Sequence, residues 1–181
     1  LDILLRAFPL VLREVPEAKL LLMGNDPIRP ELVARVHRSL LDIADAFGFG
    51  DALLFLDGPI PQEEVPEVFA ASDVVVSPGA TECFGMVFLD GMAAGRPVVG
   101  VHSVDNGVPE VVPDGRAGIL VPHNDPGTTA KALTSLLLDP EGTAAMGERG
   151  LAWVKKRYDA SSVLSRLLDT YFECRAEAGR G

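Results

Sequence analysis

Cysteine is scarce. Cys83 and Cys174 are the only two among 181 residues, about half a chain apart, which supplies neither a disulfide framework nor a zinc-ligand spacing and fits a reducing compartment. Aromatic residues make up only 6%, and 26 acids against 16 bases leave a formal net charge of -10. Interleaved basic and aromatic residues are therefore missing, which excludes nucleic acid as a partner and weakens long-range attraction to anionic lipid. The short run Lys155-Lys156-Arg157 reads as a solvated helix face. No stretch is apolar for long enough to span a bilayer. The three histidines, His37, His102 and His123, are scattered, with no H-E-x-x-H, no paired metal acids and no nucleophile elbow. His102-Ser103-Val104-Asp105 gathers the residue types of a catalytic triad, but neighbours this close along a chain do not converge as acid, base and nucleophile. It reads as a loop before a Gly107-Val108-Pro109-Glu110 turn. The opening Leu1-Asp2-Ile3-Leu4-Leu5-Arg6 has no Met, basic n-region or small-residue cleavage site, so the expectation is a cytoplasmic protein whose chain starts upstream of Leu1.

What is abundant is hydrophobic residue, 48% against 23% charged, enough for a single globular domain around one sizeable core. Short β-branched or Leu-rich runs alternate with amphipathic stretches, the pattern of βα units in a parallel sheet whose strands are buried on both faces. Helices are expected near Ile3 to Glu14, Pro30 to Phe47, Glu63 to Ala71, Met86 to Ala94, Pro126 to Leu138, Glu141 to Arg157 and Ser161 to Ala176. Strands are expected near Lys19 to Met23, Leu53 to Leu56, Val74 to Ser77, Pro97 to Gly100 and Gly118 to Val121. Asn25-Asp26-Pro27 and Gly58-Pro59-Ile60-Pro61 are turn chemistry, Gly48 and Gly95 suit helix C-termini, and Pro126 suits a first turn after Asp125. There is no repeat, low-complexity tract or interdomain linker. In a doubly wound sheet the first strand is central, yet this sequence opens on a helix, so that strand is either cut away or the fold is rearranged, and the former is expected.

The most informative segment runs from Pro78 to Gly95. Glu82 and Asp90 stand eight positions apart across a loop-to-helix junction, just after a strand. The run after Gly85 is apolar and helix-forming, so its free N–H groups and dipole face the loop and favour an anion there. At about 1.5 Å per residue, Asp90 lies roughly 6 to 8 Å along the axis from the helix start. The two acids can thus hold the ends of an elongated ligand with a diphosphate between them.

These residues resemble the donor motif of retaining glycosyltransferases of the two-domain GT-B type (glycosyl transferases group 1, family 4), in which Glu, seven residues and a second Glu bracket a nucleotide sugar. The resemblance extends through Ala18-Lys19-Leu20-Leu21-Leu22-Met23-Gly24, Phe55-Leu56-Asp57-Gly58, Ala71 to Pro78, Gly95-Arg96-Pro97-Val98-Val99, Gly107-Val108-Pro109-Glu110 and Gly118 to Pro122. It implies a Rossmann-like doubly wound domain, the C-terminal, donor-binding half of such an enzyme with its first strand missing. Two departures stand out: Asp90 replaces the second Glu, and Cys83 stands where Gly is common. Asp reaches about 1.5 Å less far, so a ribose contact needs a water or a closer helix.

By that resemblance Glu82 binds hydroxyls of the transferred sugar, the alternative being a solvated capping acid. Phe84, Gly85, Met86 and Val87 line the sugar and diphosphate, with Gly85 allowing close backbone approach. The side chains of Met86 and Val87 are expected in the core, their amides facing the ligand. Asp90 takes the ribose; its alternative is an exposed helix stripe. Cys83 reads as a loop filler rather than a reactive thiol. Gly58, Pro59 and Ile60 follow a strand and either touch the nucleotide base or form a plain turn; Gly24 and Asn25 carry a weaker signal of the same kind. An Arg and a Lys after the missing strand are implied for the diphosphate, and no cofactor or obligatory metal. The expected activity is retaining transfer of a hexose-type sugar from a nucleotide diphosphate to an acceptor on an N-terminal domain. Two other readings stay open, a non-catalytic nucleotide-sugar-binding or structural module and a nucleotide-sugar epimerase on the same scaffold.

Overall fold

The computed structural model describes residues 1–24, 28–56, 60–103 and 106–178. In chain order its elements are α1 (Asp2–Glu14), β1 (Leu20–Met23), α2 (Pro30–Ala46), a 3-10 turn (Gly50–Ala52), β2 (Leu53–Leu56), α3 (Val65–Ala71), β3 (Val75–Ser77) and α4 (Met86–Ala93). Then follow β4 (Val98–His102), α5 (Val108–Val111), β5 (Gly118–Pro122), α6 (Pro126–Leu138), α7 (Pro140–Arg157) and α8 (Ala160–Ala178). All strand pairs are parallel. β1 pairs with β2 in the register Leu20↔Leu53, while β4 lies between β3 and β5 through Val75↔Val98 and Val98↔Gly118. Among the described residues no backbone ladder joins the two groups, so β1, β2, β3 and β5 each keep one unpaired edge.

The alternation of side chains along β4 explains why helices cover both of its faces. Val99 and Val101 point into one apolar cluster with Leu4, Leu5, Phe8 and Val11 of α1 and Leu133 and Leu136 of α6. Val98 points the other way, into a cluster with Phe88, Leu89 and Met92 of α4 and Val108 and Val111 of α5. Each fully buried valine of this kind contributes on the order of 1.5 to 3 kcal/mol. The single core expected from composition is therefore two, one on either side of the sheet. Leu20 of β1 and Leu53 of β2 share the α1 cluster with Val99 and Val101, so both ladders rest on the same layer of helices.

The two-sided burial expected for every strand holds for β4 and fails for β1 and β2. Leu21 and Leu54 are 41% and 45% exposed, because helices cover only the face that carries Leu20, Leu53 and Phe55. Helix and strand limits otherwise fall close to expectation, and α6 and β2 match to the residue. β4 runs on to His102, which belongs to the strand rather than to a loop, and the Gly107 to Glu110 turn is the start of the one-turn helix α5. Gly48 and Gly95 end their helices with φ of +77° and +72°, a left-handed geometry that glycine adopts without strain. The expected turn at Asn25-Asp26-Pro27, the first half of the one at Gly58-Pro59-Ile60-Pro61, and Val104-Asp105 lie outside the described residues.

α7 is seated on α4 by glycines. A Cβ added at Gly147 would stand 1.9 Å from the Gly95 carbonyl oxygen, a main-chain atom that cannot swing away. Gly147→Ala is expected to force α7 off α4 and to lower unfolding stability by at least about 2 kcal/mol, read from denaturant midpoints. An unchanged midpoint would contradict this packing.

Candidate functional site

Strand β3 ends at Ser77, and the loop 78–84 carries the chain from its carboxyl edge to the start of α4. Open α/β sheets bind ligands at this edge. Gly85 is the residue before the helix and adopts φ 82°, ψ 51°. A side chain there would be strained and would strike Phe88, since an added Cβ would lie 2.6 Å from its ring. The Phe88 amide bonds to the Gly85 carbonyl at 3.0 Å. This leaves Met86 and Val87 as the first amides of α4 without an intrahelical acceptor.

Among the described residues no side chain caps this helix. At the other helix starts from α2 onward, the first turn has either a cap or one donor fewer. Asp125, Asp139 and Asp159 accept from the amides of Thr128, Gly142 and Ser161 at α6, α7 and α8, at 2.8, 2.9 and 3.1 Å. α2, α3 and α5 have no side-chain cap either, but each places a proline in the first turn, which removes one of the orphan donors. α4 has neither device, so its amide tip is open for an anion.

Glu82 sits beside that tip. A Cβ built on Gly79 would lie 4.0 Å from Glu82 Oε2, and one built on Gly85 3.4 Å from Glu82 Cγ, so the half-buried side chain spans from the Gly79 backbone to the helix start. Its main-chain carbonyl is fixed by the Gly107 amide at 3.1 Å. Gly107 can approach only because it lacks a side chain: an added Cβ would stand 2.4 Å from the Cys83 carbonyl oxygen. Neither Glu82 nor Asp90 has a side-chain hydrogen bond or ion pair among the described residues.

Asp90 lies one turn into α4 on the exposed stripe it shares with Met86 and Ala93, opposite the buried Phe88, Leu89 and Met92. Although exposed by area, its carboxyl is held above the ordinary carboxylate range by partial desolvation. The structure brings Glu82, Gly85 and the Met86 and Val87 amides together, while no direct contact links Glu82 to Asp90. The core position expected for Met86 is wrong: its side chain is 60% exposed, because as the first helical residue it projects on the stripe facing away from Phe88 and Met92. Val87 is half-buried against the α4 cluster. Phe84 is exposed, its ring edge-on to Tyr158 at 6.0 Å, and Cys83 is an exposed free thiol. Gly24 and Ile60 are described, whereas Asn25, Gly58 and Pro59 are not.

Three neighbours of the site were not foreseen. Gly107 fixes the Glu82 loop, Tyr158 meets Phe84, and Asn106 donates from Nδ2 to the Val101 carbonyl at 2.8 Å with its Oδ1 buried and unpartnered. Only the Gly107-Val108-Pro109 sequence carried a signal, as turn chemistry. The other two contacts arise from the fold.

The profile of the family described as "Glycosyl transferases group 1" matches residues 1–139. The chain belongs to that family. It is 34% identical over 95% of its length to the D-inositol 3-phosphate glycosyltransferase of Thermobispora bispora. It is 35% identical over 84% of its length to the GDP-mannose-dependent alpha-(1-6)-phosphatidylinositol monomannoside mannosyltransferase of Mycolicibacterium smegmatis. It spans 40% and 39% of the length of these two relatives. In fold, this group 1 chain is similar to sucrose-phosphate synthase from Thermosynechococcus elongatus, with TM-score 0.79 at 25% identity, covering 96% of this chain and 43% of that one. The C-terminal domain of a glycosyl transferase group 1 family protein (LpcC) from Francisella tularensis gives 0.70 at 21%, covering 86% of this chain and 77% of that domain. The Rossmann-like α/β architecture is thus that of a GT-B C-terminal domain.

The raised Asp90 pKa makes a signed prediction. A carboxyl whose folded pKa lies above its unfolded one binds its proton more tightly in the native state, so its contribution is fully present at low pH and is lost as pH rises through the folded value. Asp90→Asn removes that loss. The variant is expected to be slightly more stable than the parent at neutral pH, with the difference closing as pH falls below the ordinary carboxylate range, read as thermal midpoints across pH. A constant difference, or one that widens in acid, would contradict the partial desolvation of this carboxyl.

Proposed function

We propose that this chain is the donor-binding half of a glycosyltransferase, moving a hexose-type sugar from a nucleotide diphosphate to an acceptor held by an N-terminal domain of a longer chain. The observation that carries the reading is the uncapped start of α4 at Gly85 with Glu82 beside it, at the carboxyl edge of a parallel ladder. In this reading the Met86 and Val87 amides hold the diphosphate and stabilise it as it leaves, Glu82 accepts hydrogen bonds from sugar hydroxyls, and Phe84 walls the sugar side. Asp90 takes the ribose hydroxyls, through a water because of its shorter reach.

The anomeric carbon loses its bond to the diphosphate oxygen, which keeps the electron pair, and gains one to the acceptor oxygen, whose proton is released. Transfer with retention follows from the family resemblance of the Glu82 to Asp90 motif. A diphosphate carries about two negative charges against about half a positive charge at a helix start, so further cations are required. In this reading they come from a loop after a strand that precedes α1. The relatives' names support a nucleotide-sugar donor, since one is GDP-mannose-dependent. The Anabaena HepE structures, at TM-scores of 0.79 and 0.78, are complexes with UDP and with UDP-glucose.

The test is a thermal-shift panel of nucleotide diphosphate sugars on the full-length protein, followed by turnover with the donor that binds. At a hundredfold excess over Kd a true donor is expected to stabilise by about 2.7 kcal/mol. Glu82→Ala is expected to keep the fold and to lose turnover by about two orders of magnitude or more. Stabilisation without turnover would leave a binding module, and no stabilisation by any donor would overturn the reading.

A further inference from the structure

In a chain of net charge -10, five of the sixteen lysines and arginines gather around one concavity. Its volume is about 920 Å³, and it opens between α7, α8 and the loop before β5. Arg149 and Lys156 come from α7, Arg157 from its end, Arg166 from α8 and Arg116 from the loop. None of them forms an ion pair with a described carboxylate, and no described Asp or Glu lines the space. Like charges held this close repel one another, and an anion between them removes that cost.

Local contacts hold the cations in place. The Arg149 Nε–H donates to the Arg116 carbonyl at 2.8 Å, which binds α7 to the loop. The Arg157 guanidinium lies 4.6 Å over the Trp153 ring, and Trp153 is itself anchored by its Nε1–H to the Val111 carbonyl at 3.0 Å. Arg166 reaches back to the Arg157 carbonyl, closing the α7 to α8 turn. Arg149, Ala152, Trp153 and Lys156 form one helical stripe by their spacing, and Ser162, Ser165 and Arg166 a second across from it. Two hydroxyls, of Ser162 and Ser165, add neutral donors. The carboxylate of Asp159, at the rim, is taken up by the amide and hydroxyl of Ser161.

We propose that this concavity binds a multiply phosphorylated ligand, as a soluble polyphosphate or as phosphate headgroups at a lipid surface. Planar guanidiniums at several angles suit phosphate oxygens better than a single carboxylate, and the hydroxyls supply short neutral hydrogen bonds. The site shares no residue with the Glu82 loop or α4, so it stands whether or not the donor reading does. It also revises the solvated-face reading of Lys155-Lys156-Arg157, since two of those three residues belong to a cation cluster assembled from three elements.

The test uses the full-length protein. Trp153, the only tryptophan in these 181 residues, reports locally as the emission change that a Trp153→Phe form lacks. Sodium tripolyphosphate is expected to change that emission saturably, and salt to weaken the response. Arg149→Gln with Arg157→Gln should raise the apparent Kd at least about tenfold, and Lys156→Gln with Arg157→Gln, two exposed side chains, repeats the test without touching the Arg149 to Arg116 bond. A second arm floats the protein with phosphatidylcholine vesicles with and without phosphatidylglycerol. A tripolyphosphate response alone assigns a soluble phosphate, and flotation that needs phosphatidylglycerol and these cations assigns a headgroup; both support the site. Neither response, or responses that both double variants leave unchanged, would overturn it.

Discussion

The rest of the site depends on one helix start that the chain leaves electrostatically open. At Gly85 the backbone turns left-handed, Phe88 fills the space a side chain would need, and the amides of Met86 and Val87 are left without acceptors. Elsewhere from α2 onward a carboxylate caps the helix start at α6, α7 and α8, and at α2, α3 and α5 a first-turn proline removes one of the orphan donors. Unsatisfied donors at a helix end need water or a ligand, and those at α4 face a loop that carries a free acid. The remainder of the fold serves to hold that loop still.

It does so from two sides. β4, buried on both faces, divides the apolar interior into an α1–α6 cluster and an α4–α5 cluster, and α4 is pressed onto the sheet by Phe88, Leu89 and Met92. On the outer side α7 reaches α4 closely enough that Gly147 can carry no side chain. The loop after β4 then bridges to the loop after β3 through the Gly107 amide and the Glu82 carbonyl. Parallel strands make this possible, since both loops leave the sheet at the same edge.

Much of this was legible in the sequence where local chemistry decides the outcome. Asp125-Pro126 starts α6 where its cap and its preset φ say it should, and Gly48 and Gly95 stop helices by the same kind of local rule. The Glu82–Gly85–Asp90 spacing located the open helix tip. What stayed hidden was decided by packing. The Leu-rich β1 and β2 carry no alternation, so nothing in them reveals that one face is bare, and the apolar character of Met86 gave no sign that it points outward. Tyr158 beside Phe84, and Arg116 beside Arg149, are contacts between segments far apart in the chain. Isolated charges in a strongly acidic sequence read as surface until the fold brings them together.

The central claim concerns two amides and is best tested at those amides. On isotope-labelled protein, titration with the nucleoside diphosphate of the donor that stabilises it should move the amide proton resonances of Met86 and Val87 downfield, as a new charged acceptor requires, while the parent nucleoside leaves them in place. Binding of the diphosphate with both resonances unmoved would contradict the account.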